Sequence, residues 1–232
     1  MKFIPIGLQC AVPDAIKASG LREYSYPFDW LWTPSKTTYD ILCILFEKGV
    51  DSTVEYMTTG YSYFKYMRNE SYVSFNDKTP EQINKTTGLG ITHFEINDEY
   101  KIKLRRRLER LLHDIQSTEQ LILIYADASG KDRNYVIDDV IYSVNPTEYL
   151  LKIYDLIYEK NSNIEMLYFC WDERVGTSNK ITHIRFSEIK GWHIRDWNGV
   201  SVLIKQYFEK NKHKYYLAGN QGSPAHPLLL SK

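Results

Sequence analysis

Cysteine is scarce in this chain. Cys10, Cys43 and Cys170 are the only three. An odd number, far apart and without CxxC spacing, argues against a disulfide framework and against a cysteine-based zinc site. Net charge is missing as well, since Lys+Arg and Asp+Glu both total 29. Phosphate backbones are held by basic excess, so no nucleic-acid partner is expected. The one dense basic run, KIKLRRRLER from Lys101 to Arg110, has the spacing of a solvated helix face. No apolar run approaches the ~20 residues that span a bilayer, so no membrane partner is expected. The opening MKFIPIGLQC has one lysine and an apolar run broken by Pro5, too short for a secretory leader. A reduced, cytoplasmic protein is expected, in which the sequons at Asn69 and Asn84 are incidental. Also lacking are a G-x-G-x-x-G turn, a Walker A loop, a G-x-S-x-G elbow and a paired-histidine metal helix. No cofactor and no metal are therefore expected, and nothing in the pattern sets an oligomeric state.

What is present is an alternation of buried strands and amphipathic helices over 232 residues, 43% of them hydrophobic. Residues 2–8 (KFIPIGL) predict a short buried strand. Residues 11–19 (AVPDAIKAS) predict a helix, with Pro13 in the first turn and Gly20 at its C-terminal stop. A second helix is expected over 36–48, ended by Gly49, with Cys43 packed among its isoleucines and leucines. The tyrosine-rich stretch 51–92 lacks periodicity and predicts short irregular strands and loops. Helical spacing returns at 99–117, where Leu104, Leu108, Leu111, Leu112 and Ile115 recur. Leu121 to Ala126 (LILIYA) then has the continuous apolar character of a buried parallel strand. Further elements are expected at 146–159 (helix), 164–171 and 181–186 (strands) and 200–210 (helix). The fold expected is α/β: a three-layer sandwich around a largely parallel sheet, with a single domain over 1–218 and an extended or disordered tail over 219–232.

The chemistry-bearing candidates each have two readings. Cys10 stands where the first strand hands over to the first helix. There the macrodipole and free backbone N–H groups lower a thiol's pKa and can hold an oxyanion. Alternatively it packs as a small apolar residue. Gln9 is polar where a buried strand would continue, which suits the edge of a site. Of the six histidines, His93 after the Gly88-Leu89-Gly90 turn and His193 in the GWHIRDW segment are the two not readily assigned to solvent or core. In Pro27-Phe28-Asp29-Trp30, an inward-folded loop obliges Asp29 to find a donor, and Arg22 is a suitable bidentate partner. That pair serves either as a structural clasp or in the site. Asp127, Asp172 and Glu173 follow predicted strands at their carboxyl ends, where open α/β sheets bind ligands.

The string IGLQC…GLREYSYPFDWLWT resembles the opening signature of a family of papain-like cysteine peptidases from bacteria and large DNA viruses. Gly7, Cys10, Gly20-Leu21-Arg22 and Pro27 to Trp30 carry the match, while Ile6 stands where the family usually has serine. The similarity extends through His93-Phe94, though here Thr-His-Phe-Glu replaces the family's His-Asp-Phe, and through KLRRRLERLL…LILIY. It implies a cysteine hydrolase in which Cys10 is the nucleophile and His93 its base. The third, orienting place falls to Asp196, with Asp127 and Asn198 as alternatives; Gln9 and Asp127 would serve the substrate or oxyanion, and Arg22, Asp29 and Trp30 would support the site. The substrate would be a peptide, isopeptide or other acyl compound. Two rivals remain at this stage. One is a non-catalytic module binding sugar or peptide in an aromatic cleft that includes Trp192 and Trp197. The other is a cysteine variant of an esterase-like α/β hydrolase using His193 or Asp196.

Overall fold

The computed structural model describes residues 1–7, 11–64, 81–84, 87–91, 95–126, 136–137, 140–141, 146–170, 178–186 and 197–215. Its central sheet is built from β1 (Lys2–Pro5), β6 (Leu121–Ala126), β9 (Ile164–Cys170) and β10 (Ile181–Arg185), in the order β1-β6-β9-β10. All three pairings are parallel. Every residue of β6 is buried, because the strand lies inside the sheet and both faces are covered.

The helices form two layers. On one face lie α1 (Ala11–Ala18), α5 (Trp197–Lys210) and the short α6 (Lys212–Tyr215). Their apolar residues meet Phe3, Ile122, Ile124, Leu167 and Phe169 of the sheet. On the other face lie α2 (Ser35–Thr58), α3 (Asp98–Ile115) and α4 (Pro146–Tyr158), packed on Ile4, Leu121, Leu123, Tyr125, Met166 and Tyr168. Alternate strand residues feed opposite cores, as the two-residue period of a strand requires. The result is an α/β sandwich around a parallel sheet, as the alternating pattern leads one to expect.

Two details depart from what the sequence leads one to expect, and the short strands expected within 51–92 are present beyond residue 60. Gly49 does not end the second helix: it takes φ 82° and kinks it, after which helix resumes to Thr58. Glycine tolerates that left-handed conformation without Cβ strain, so it works here as a hinge within one element rather than a stop. Residues 51–58 are therefore helical, not irregular. Beyond them a small antiparallel sheet, order β2-β5-β4-β3, joins β2 (Leu31–Trp32), β3 (Tyr61–Phe64), β4 (Glu81–Asn84) and β5 (Gly90–Ile91). A two-residue ladder, β7 (Val136–Ile137) with β8 (Val140–Ile141), completes the set. Lastly, Cys43 is half-buried rather than sealed in the core, and it hydrogen-bonds with Tyr39.

No helix among the described residues is long and apolar enough to cross a membrane. The tail expected over 219–232 lies outside the described residues.

Candidate functional site

Parallel pairing brings the carboxyl ends of β1 and β6 to one edge of the sheet. Pro5 lies opposite Ile124, and the Ile6 N–H continues the ladder to the Ile124 carbonyl at 3.0 Å. At Gly7 the chain turns with φ 125°, beside β2: a Cβ there would strike the Thr33 carbonyl oxygen and crowd Thr38 Oγ1 at 3.1 Å. Thr38 Oγ1 in turn donates to the Ile6 carbonyl at 2.8 Å. Only glycine permits both that φ and so close an approach of two backbones. Helix α1 then begins at Ala11 and runs to Ala18, and Gly20 closes it with φ 69°.

After α1 the chain forms the tight turn 26–30, whose centre is Asp29. This carboxylate is wholly buried. Its Oδ2 accepts from the Arg22 guanidinium and, at 3.1 Å, from the Tyr26 backbone N–H. Arg22 also donates to Ser25 Oγ at 2.7 Å and to the Tyr24 carbonyl at 3.1 Å, so one guanidinium bonds three other residues of the loop. Phe28 is buried in the core beside the sheet, whereas Trp30 is only half-buried and has φ 65°. A left-handed backbone at a bulky residue is uncommon and persists only where its surroundings impose it.

Helix α3 braces the loop from outside. The Tyr26 hydroxyl donates to the buried Asp114 at 2.6 Å, and Arg110 donates to the Ser25 carbonyl at 2.6 Å while lying over the Tyr24 ring. Arg107 is half-buried, and its charge acts on Asp29. The basic run is thus only partly a solvated face. Lys103 pairs with Glu99 along the helix and Arg105 with Asp51, but Arg107 and Arg110 turn toward the loop.

Burial pushes the Asp29 carboxyl up to about 6, against the opposing pull of Arg22, the Tyr26 N–H and Arg107. Burial likewise pushes the Tyr26 phenol up, helped by the Asp114 carboxylate, and pushes the Arg107 guanidinium down. The Cys43 thiol is raised by burial, which disfavours its reactive thiolate.

Cys10, Gln9, His93, Asp127 and Asp196, with Asp172, Glu173, Trp192 and His193, lie outside the described residues. Their places in the sequence are nonetheless informative. Cys10 immediately precedes Ala11, the first residue of α1, and Asp127 immediately follows Ala126, the last of β6. His93 follows β5 by two residues, and β5 pairs with β2 through Leu31–Ile91 and Trp32–Gly90. Among the described histidines, His113 and His213 are exposed. His183 sits on β10, three strand positions from β1, hence ~14 Å away at the usual spacing of neighbouring strands. Burial lowers its pKa, and its ring packs edge-on against Tyr168. None of these three is suited to serve a group beside β1. No cluster of three metal-ligating side chains occurs among the described residues.

Some of these contacts had no sequence signal. The bond from Tyr26 to Asp114 joins residues 88 positions apart, and the Gly7–Thr33 approach depends on tertiary path alone. The one available hint was the string of glycine and threonine at positions 7, 33, 37 and 38, all small or hydrogen-bonding groups near a strand end.

Residues 1–190 match the family described as "Putative papain-like cysteine peptidase (DUF1796)". The chain belongs to that family. The match takes in the β1–α1 junction, the Arg22–Asp29 loop, the antiparallel sheet and three strands of the parallel sheet, with β10 as well. No curated protein and no solved structure matches the chain.

Proposed function

We propose that this member of the family is a thiol hydrolase in which Cys10 is the nucleophile and His93 the general base. The observation that carries the reading is the start of α1 at Ala11, the residue after Cys10, on the carboxyl side of a parallel strand. A thiol at that point meets the positive end of the helix and backbone N–H groups that have no partner within the helix. Both stabilise a thiolate, and the same N–H groups can hold an oxyanion. Family membership supports the reading independently.

In the proposed reaction His93 takes the thiol proton, and the Cys10 sulfur attacks the carbonyl carbon of an amide, isopeptide or thioester. The carbonyl electrons move to oxygen, where the α1 N–H groups and Gln9 receive the charge. When the oxyanion collapses, the carbon–leaving-group bond breaks and His93 returns its proton to the departing amine or thiol. Water, deprotonated by His93, then attacks the thioester; the acid is released and the Cys10 thiol re-forms. Asp127, following the neighbouring strand, would face the substrate. A carboxylate must orient the imidazole, and Asp196 is the candidate from sequence.

Alkylation of each cysteine by iodoacetamide, followed by peptide mass spectrometry, tests the assignment. Cys10 should react at neutral pH much faster than Cys43 and Cys170. His93→Ala should abolish that advantage and recover part of it near pH ~9, where the thiol ionises unaided. Full reactivity in His93→Ala, with loss in His193→Ala, would move the base to His193. Insensitivity to both would favour a binding module in which Cys10 only packs.

A further inference from the structure

Most cations of α3 have a partner. Lys101 lies 3.9 Å from Asp98, Lys103 lies 2.6 Å from Glu99, and Arg105 pairs with Asp51. Arg110 donates to the Ser25 carbonyl and lies over the Tyr24 ring. Arg107 is different: among the described residues its guanidinium makes no hydrogen bond and no ion pair. On an exposed arginine that would need no explanation. Arg107 is half-buried, and burial pushes its guanidinium down. A guanidinium carries five N–H donors and keeps its charge at ordinary pH, so partial burial without an acceptor is costly.

The groups whose charge reaches Arg107 do not offset it. Tyr100 lies two turns back on α3, and burial raises its phenol pKa, so it is neutral. Arg22 and Arg106 are like charges and oppose it. Asp29 attracts it, but this one buried carboxylate faces two guanidiniums. Its Oδ2 is held by Arg22 and the Tyr26 N–H. Its Oδ1 has no donor, so Arg107 does not close on the oxygen that is open to it. Arg22 bonds through Nε and Nη2, which leaves Nη1 without an acceptor among the described residues. The turn and α3 therefore bring together an excess of positive charge and a set of unused donors.

We propose that Arg107, together with Arg22, is the binding site of an oxyanion: a carboxylate, or a tetrahedral group of the sulfate and phosphate kind. Two oxygens of such a group match the planar fork of Arg107. Arg106, exposed on the same helix, adds to the attraction. Asp29 has two effects. It fixes Arg22 through Oδ2, and its buried negative charge holds the affinity down. The site is made entirely of α3 and the loop after α1, and it does not depend on the chemistry proposed for Cys10.

Inorganic sulfate is the probe, because it stays doubly charged around neutral pH. The arginine Nε–H signals of the full chain, isotope-labelled in arginine and assigned with Arg107→Gln, are followed as sulfate replaces chloride at constant ionic strength. Saturable movement of the Arg107 and Arg22 signals is expected, with the Asp51-paired Arg105 unmoved. A parallel titration with acetate shows whether a planar carboxylate or a tetrahedral anion fits better, and saturation by either supports the site. Arg107→Gln should weaken binding about 10-fold or more. Asp29→Asn, which removes the opposing charge, should tighten it roughly 3-fold or more. Shifts that grow without saturation, and equally at Arg105, Arg106 and Arg107, would mean charge screening alone and overturn the proposal. So would an Arg107 N–H already protected in the anion-free chain and released in Asp29→Asn, since Arg107 would then be closed on Oδ1. Should Asp29→Asn fail to fold, the titrations of the unsubstituted chain and of Arg107→Gln decide alone.

Discussion

The Tyr26 hydroxyl donates to Asp114 at 2.6 Å across 88 residues of sequence, fastening the turn that carries Asp29 to helix α3. Both partners are buried. The bond therefore does two things, closing a polar pair inside the core and fixing the loop that follows α1. Its strength comes from the ionised acceptor in a poorly solvated place.

Removing that donor should be expensive. Tyr26→Phe leaves the Asp114 carboxylate short of its phenolic partner and should lower stability by about 1.5–3 kcal/mol. Urea denaturation checks this through the midpoint. A change within a few tenths of a kcal/mol would show that water replaces the phenol.

Asp29 makes stability depend on pH in a definite direction. Its folded pKa of about 6 lies above the ordinary carboxylate value, 3.8. Between those two values the folded chain holds a proton that the unfolded chain has lost. The Asp29 contribution is thus fully present below about pH 4 and is lost as pH rises through about 6, some 3 kcal/mol for a shift of ~2 units. Asp29→Asn should erase this slope. Asp29→Ala at neutral pH should destabilise by about 3 kcal/mol, because it leaves the half-buried Arg22 without its carboxylate. Denaturation midpoints between pH ~4 and ~7 measure all three.

Two glycines should respond very differently to alanine. At Gly7 a Cβ meets the Thr33 backbone and the φ of 125° is closed to it, whereas at Gly20 (φ 69°) nothing lies within 4 Å. Gly20→Ala should cost only ~1–2 kcal/mol, the usual left-handed penalty. Gly7→Ala adds the collision to the strain and should prevent a stable fold. Thermal unfolding of the two purified variants, or the failure to obtain one of them, separates the cases.

How far the sequence could be read depended on the kind of interaction. Leu121 to Ala126 is buried at every position, and that apolar run was visible without coordinates. The stripe of α3 was equally visible because one face of a long helix repeats at fixed spacing. Arg22 and Asp29 were readable as a pair, since an acid between large aromatics needs a cation nearby if the loop folds inward. Gly49 misled, because its φ of 82° has the same sequence signature in a kink as in a helix stop. The antiparallel sheet gave little signal either: β2 and β5 have two residues each, too short for alternation to register. That Arg107 and Arg110 turn inward from a basic run depends on what α3 packs against, which no local pattern records.

The proposed acyl transfer to Cys10 is open to direct test by trapping the intermediate. The chain would be incubated with an activated aryl ester or a small thioester, quenched in acid, and mapped by peptide mass spectrometry. The predicted result is one acyl group on Cys10 that decays as hydrolysis completes, absent in Cys10→Ala and greatly slowed in His93→Ala. Acylation spread equally over Cys10 and Cys43, or absent from Cys10 altogether, would contradict the claim.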